Sequence, residues 1–238
     1  SSHLILLATH NHNAPIQINP DNFVYGHGLA ERMFGLIQEA IAAERGPVQV
    51  EFGSGHGYFI TARGNAPVDY EIQLLQVTHQ GAPMAMLFSH GTHPAQASRS
   101  MIDAGHPGYA MEEIEAAFPD VLAMYSDASG GNQFPRQPAD WETRTAEARE
   151  AGTAAYDALL ETRARELGHE LAEAVTRIAI GPLEDVGGPI TSSIEIVGLP
   201  LLPPISREEA LKLAEEFPPD VGFVHYPNRY RSTNWVRM

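Results

Sequence analysis

The chain has 238 residues, enough for one large domain or two small ones with a substantial core. A formal charge of −15 argues against nucleic acid or an anionic membrane surface as the main partner, because either would favour a basic patch. There is no cysteine, which excludes a disulfide framework and thiolate chemistry and leaves His, Asp, Glu or Tyr to hold any metal.

The chain opens with an apolar run, Leu4-Ile5-Leu6-Leu7, short enough for a buried strand, and continues into Ala8-Thr9-His10-Asn11-His12-Asn13-Ala14-Pro15. Side chains alternate along a strand, so His10 and His12 are expected on one side, at the strand's mouth. Two imidazoles placed in that way can share a divalent ion such as zinc, and a catalytic zinc usually takes three protein ligands. A second apolar run, Met84 to Phe88, ends in the same manner at Ser89-His90-Gly91-Thr92-His93-Pro94. One histidine at a strand end is usually a hydrogen-bonded loop residue, whereas two such clusters in one chain point to a metal site.

Between the clusters, apolar residues at helical spacing from Leu29 to Ile41 predict an amphipathic packing helix from about Gly28 to Glu44, stopped by Gly46-Pro47. Val48 to Phe52 alternates as a strand, and Gly53-Ser54-Gly55-His56-Gly57 reads as a glycine-rich turn before another strand at Tyr58-Phe59-Ile60. That turn lacks the lysine of a phosphate loop and opens no clear helix, which argues against nucleotide binding. A strand pair, Tyr70 to Thr78 and Pro83 to Ser89, joined at Gln80-Gly81, delivers the chain to His90 and His93.

Pro107 fits the first turn of a helix running to Phe118, with His106 near its start as a substrate-facing, a capping or a solvent-exposed group. Val121 to Tyr125 is a short buried strand followed by a polar, glycine-rich loop, Ser126 to Arg136. Three strand-end loops, after Leu7, Phe88 and Tyr125, thus offer polar chemistry, and α/β proteins place ligands at such loops. From Trp141 to Arg177 the pattern predicts one long helix or a broken pair, with an apolar stripe of Tyr156, Leu159, Leu160, Leu167, Leu171 and Val175. Its Glu and Arg residues read as a solvated face. A strand is expected from Pro189 to Leu199, a stiff connector from Pro200 to Pro204, and a helix capped by Ser206.

The motif order resembles a known family. Ala8 to Pro15 resembles the A-T-H-T-H-S-G/A-P signature of the neutral/alkaline non-lysosomal ceramidases, and Phe88 to Pro94 resembles their second zinc-ligand segment. Ala104-Gly105-His106-Pro107-Gly108-Tyr109-Ala110 is similar to a D-H/Y-x-G-Y-A segment, and Gly131-Asn132-Gln133-Phe134-Pro135-Arg136 to a G-D-x-N/S-P-R/N segment. The resemblance implies a zinc-dependent hydrolase of an amide bond, acting through metal-activated water on N-acyl-sphingosine (ceramide) or a related lipid amide. Carried over residue by residue, His10 and His93 would be zinc ligands, His12 would orient substrate beside the metal, and Arg63 would help hold the carbonyl oxygen. The family's remaining ligands, a glutamate and a tyrosine, would lie beyond residue 238; within these residues Asp103 or His12 is the candidate for a further ligand. Ala128 falls where the family carries a serine and Asn132 where it carries an aspartate; Ser126 and Ser129 flank the position, and Ser129 is the candidate for that role.

The expected fold is therefore α/β, a mixed sheet with packing helices. Residues 1–238 are expected to form one partial catalytic domain, with the motifs in 1–140 and a helical and connector part in 141–238. A start inside an apparent strand suggests a fragment, and missing neighbours would leave open sheet edges and poor stability in isolation. The implied partner is a small-molecule lipid amide, with peripheral contact to membrane lipid and no nucleic acid; the oligomeric state stays open, and the resemblance implies a secreted or periplasmic protein. Two other readings fit the residues: a non-catalytic relative that binds a lipid or another ligand, and an unrelated metallohydrolase in which His10, His12 and His93 all ligate.

Overall fold

The computed structural model describes residues 6–15, 20–64, 66–95, 101–189, 191, 193, 195–198 and 206–216. It forms two compact units, Ser1–Ile190 and Thr191–Met238. In the first, a 3-10 turn leads into α1 (Phe23–Ala42), followed by β1 (Gln49–His56), β2 (Ile60–Ala62), β3 (Glu71–His79), β4 (Ala82–His90), α2 (Gly105–Ala117), β5 (Leu122–Asp127), β6 (Gln133–Pro135), α3 (Trp141–Ala151), α4 (Thr153–Ala179) and β7 (Glu184–Asp185). The second contains α5 (Arg207–Glu216).

The α/β expectation holds. Five strands form a mixed sheet in the order β5-β4-β3-β1-β7, and β2 pairs with β6 in a separate two-stranded sheet. β1, β3 and β4 are antiparallel neighbours, whereas β4 and β5 run parallel with His90 opposite Asp127. The β3–β4 hairpin turns at Gln80 and Gly81, both at positive φ (51° and 82°), which is the two-residue turn whose twist matches paired strands.

One face of the sheet is buried. Ile72 and Leu74 on β3, Met86 and Phe88 on β4, and Ala123 and Tyr125 on β5 pack with Ala110 and Ile114 of α2 and with Leu167, Leu171 and Val175 of α4. Each large side chain in that layer contributes roughly 1.5–3 kcal/mol by leaving water. Gly152, at φ 109°, breaks the long helical stretch into α3 and α4, so the broken pair is the form adopted. Because α4 packs against β1 and β3, residues 141–179 belong with the motif-bearing sheet. Ser206 caps α5 as its sequence predicts: its Oγ accepts from Glu209 N (3.2 Å), and Glu209 Oε2 accepts from Ser206 N (3.0 Å), a reciprocal capping box.

Several elements differ from expectation. Residues 6–12 form no strand, and Leu6 and Leu7 are exposed; Leu4 and Ile5 lie outside the described residues. The predicted packing helix, α1, buries none of its residues, and Phe34, Leu36 and Ile41 face solvent. Periodicity marks an apolar stripe without saying what covers it. The Gly53–Gly57 stretch is mostly strand, not turn. A Cβ on Gly53 would stand 2.5 Å from Leu183 Cδ2 and 2.8 Å from Ile178 Cγ2, and one on Gly55 would stand 2.9 Å from Ile178 Cγ1, so these glycines admit the end of α4 onto β1. His56 accordingly lies on a strand, stacked on Tyr58. Residues 191, 193 and 195–198 are not strand, and the 200–204 connector lies outside the described residues.

Candidate metal centre

The site assembles at the C-terminal ends of the parallel pair β4 and β5, where open α/β sheets place ligands. β4 ends at His90, and the Gly91–Pro94 turn carries His93 across to the segment 6–15, where His12 N donates to Pro94 O (3.4 Å). That segment is clamped by side chains. Asn11 Nδ2 donates to the Asp103 carbonyl, Asn13 Nδ2 to Asp103 Oδ2 (2.9 Å), and Asn13 N to Asn11 Oδ1 (2.7 Å). His10 takes a left-handed backbone conformation (φ 57°), a region in which histidine is enriched among non-glycine residues. A local bend, not strand alternation, therefore brings His10 and His12 to the same side.

The outcome is a three-imidazole cluster. One ring nitrogen each from His10, His12 and His93 lies within 4.8 Å of the others. His12 Nε2 and His93 Nε2 are 2.9 Å apart, a few tenths below the about 3.3 Å expected of two nitrogens sharing a tetrahedral ion at about 2.05 Å. His93 is buried, while His10 and His12 are exposed, so the cluster opens to solvent on one side.

His93 is the anchored member. Its backbone N–H donates to the Gln133 carbonyl (3.2 Å), and its Nδ1 lies 3.1 Å from the Gly130 carbonyl. A carbonyl can only accept, so Nδ1 carries the proton and Nε2 presents a lone pair to the cluster. Burial holds the His93 pKa below its ordinary value, the charges of His10 and Arg63 push the same way, and the Gly130 bond and Asp127 oppose. The ring is therefore neutral at physiological pH, as a ligand must be.

Asp127, at the end of β5, is the residue that sequence reasoning passed over. Half-buried, it senses the charges of His10 and His93, and Tyr125 Oη donates to its Oδ1 (3.2 Å). Burial raises its pKa, against the lowering effects of Tyr125 and the two histidines. A usable signal was its place just after the short buried strand predicted at Val121 to Tyr125, as the histidines follow Phe88.

The remaining candidates are distributed around the cluster. Arg63 is exposed, with its guanidinium 4.4 Å above the Phe134 ring, which in turn lies 5.1 Å from the His93 ring. This places a cation one aromatic ring from the histidines. Ser129 is exposed on a polar cleft shared with Asp127, Ser126, Ser89 and Glu71, and its carbonyl accepts from Gln133 Nε2 (2.9 Å). It is not among the three clustered groups. Asp103 does not join them either: one carboxylate oxygen accepts from Gly105 N (2.6 Å) and the other from Asn13. His106 neither caps nor meets solvent. It is fully buried, and so is His90, whose Nδ1 pairs with Thr92 Oγ1 at 2.6 Å.

No protein-family model matches this chain, and no curated protein matches its sequence. Among solved structures, the neutral ceramidase of Pseudomonas aeruginosa is similar with a TM-score of 0.44 at 16% sequence identity, over 56% of this chain and 22% of that one. A ceramidase complexed with C2 gives a TM-score of 0.43 at 16% identity, with the same coverage. The chain thus spans 22% of the length of either structure.

Proposed function

We propose that this chain holds a zinc site of a hydrolase that cleaves an amide bond, in N-acyl-sphingosine or a related lipid amide, with His10 and His93 as ligands and His12 beside the metal, towards substrate. The observation that carries this reading is the convergence of three imidazole nitrogens within 4.8 Å. The donor set suits zinc: three imidazoles, one of them oriented by a backbone carbonyl, on a cluster with one open side. The amide and lipid parts of the reading rest on the motif resemblance of residues 8–15, 88–94, 104–110 and 131–136.

Bound zinc would polarise the amide carbonyl and lower the pKa of a water molecule. The chain's own residues supply the rest. His93 is held by the Gly130 carbonyl, and Asp127 places a carboxylate near His10 and His93. Arg63, over Phe134, offers a cation to an oxygen that gains negative charge. Ser129, on the cleft beside Asp127, would meet substrate there.

The 2.9 Å approach of His12 Nε2 to His93 Nε2 favours a second reading of the ligand set, in which His12 ligates as well as His10 and His93. Elemental analysis of the protein and of His10→Ala, His12→Ala and His93→Ala decides between them. Zinc lost in all three supports three ligands, and zinc retained only in His12→Ala returns His12 to a substrate role. Hydrolysis of an N-acyl-sphingosine by the zinc-loaded protein, abolished by a chelator, tests the activity. A zinc-replete protein that leaves lipid amides intact would overturn it and favour the non-catalytic reading.

A further inference from the structure

Behind the three histidines lies a second polar layer closed off from solvent. It consists of His90 at the end of β4, Thr92 in the turn after it, His106 in the first turn of α2 and Arg163 on α4. The first three are fully buried, and Arg163 is 7% exposed. Thr92 satisfies His90 Nδ1, and Arg163 uses Nη1 on Glu166 (2.9 Å) and Nη2 on the Arg136 carbonyl (2.7 Å). Three buried nitrogens are left over, both ring nitrogens of His106 and Arg163 Nε, whereas His90 Nε2 faces the Gly57 backbone.

Native proteins seldom leave buried polar atoms unpaired, and three in one layer call for a partner. His106 and Arg163 lie on α2 and α4, which pack directly on each other, and the charges of Arg163, His90 and His93 reach the His106 ring. The layer cannot simply open. Gly168 draws α4 against the start of α2 so closely that a Cβ there would stand 2.9 Å from the His106 carbonyl.

The chemistry of these three atoms selects the partner. Arg163 Nε–H is a donor only, and a neutral imidazole has one N–H and one lone pair. A metal ion is disfavoured beside a guanidinium, and an anion would leave the imidazole lone pair unmet. Water both accepts and donates, and internal waters typically sit where two to four polar groups converge. We propose that this layer is a buried water-binding site, in which at least one internal water accepts the Arg163 Nε–H and donates to a ring nitrogen of His106. The water joins α2 to α4 directly behind the turn that presents His93, whether or not metal is bound in front.

The test is a high-resolution crystal structure of the whole chain, together with oxygen-17 relaxation of solvent water for the protein, His106→Leu and His106→Gln. The expected result is a density peak within hydrogen-bond reach of both His106 and Arg163 Nε. The number of long-lived waters should fall by at least one in His106→Leu and persist in His106→Gln, whose amide still donates and accepts. An empty layer with the ring nitrogens bonded directly to protein groups overturns the proposal, as does an unchanged water count in His106→Leu. Should His106→Leu fail to fold, Arg163→Met removes the donor from the other side and must give the same loss.

Discussion

His93 gives its Nδ1–H to the Gly130 carbonyl at 3.1 Å, and that bond decides which ring nitrogen faces His10 and His12. Gly130 belongs to the loop after β5 and His93 to the turn after β4, so the parallel pairing of the two strands sets the tautomer of the buried ligand candidate. A neutral, oriented imidazole binds a metal without first losing a proton or a rotameric choice.

Gly130→Ala should therefore weaken metal binding while leaving the fold intact. A Cβ there would lie 3.1 Å from the Gly91 carbonyl and 3.2 Å and 3.3 Å from the two Asp127 carboxylate oxygens. The loop must shift by a few tenths of an ångström, taking the His93 acceptor with it. Zinc retention against a competing chelator should fall about tenfold, the usual cost of disturbing a partner that orients a ligand. Unchanged retention with an unchanged melting temperature would mean that the Gly130 bond does not orient His93.

Asp127→Asn should separate stability from metal affinity. Burial raises the Asp127 pKa, so the folded state holds its ionised form less readily than the unfolded chain does. With a folded pKa above the unfolded one, the carboxylate costs stability once pH exceeds both, and a neutral amide removes that cost. The amide oxygen can still accept from Tyr125. At neutral pH the metal-free variant should melt a few degrees higher and bind zinc about tenfold more weakly, because the negative charge near His10 and His93 is gone. A lower melting temperature would show that Asp127 supports the fold.

The hairpin, the short buried strand that became β5 and the Ser206 cap were legible because each depends on neighbours close in sequence or on simple alternation. The histidine cluster was legible in composition but not in cause. His10 and His12 converge through a left-handed residue that no periodicity announces, and Asn11 and Asn13 reach ninety or more positions along the chain to Asp103. Gly53 and Gly55 read as a turn because a glycine that makes room for a helix and one that reverses the chain look alike in sequence. His106 looked like a residue for solvent or substrate, since only the packing of α2 on α4 determines that it is enclosed.

Gly168→Ala sets two effects of opposite sign against each other. In an exposed helix interior the change would stabilise by about 1 kcal/mol through backbone entropy. Here the added Cβ would meet Tyr109 Cβ at 2.6 Å, the His106 carbonyl at 2.9 Å and Ala110 N at 3.1 Å. Two of these atoms are backbone and cannot swing aside, so α2 and α4 must separate, at a cost of about 1–3 kcal/mol or more for overpacking. The clash should win, and urea unfolding should show a net loss of stability. A gain would mean that the helices part at little cost.

The buried histidines also predict how stability responds to acid. Burial lowers His90 from 6.5 to about 4 and His106 from 6.5 to about 3. Above the unfolded value of 6.5 neither state binds the protons, and these residues give no pH dependence. Below it the unfolded chain takes up protons that the folded chain refuses, so stability falls as pH drops, until each folded pKa is reached. The slope is about 1.4 kcal/mol per pH unit for each histidine, and about twice that where both contribute, between about pH 6 and about pH 4.5. Glu161 and Glu209, whose pKa values are lowered, add to the loss at lower pH, whereas Asp127, raised by burial, and the exposed His169, raised by Glu113, act in the opposite direction. Urea unfolding of the metal-free protein from pH 7 to pH 5 measures the total, and His106→Leu isolates one share of it. The variant should lose about half of the histidine slope. An identical slope in protein and variant would show that the His106 ring takes up a proton in the folded state.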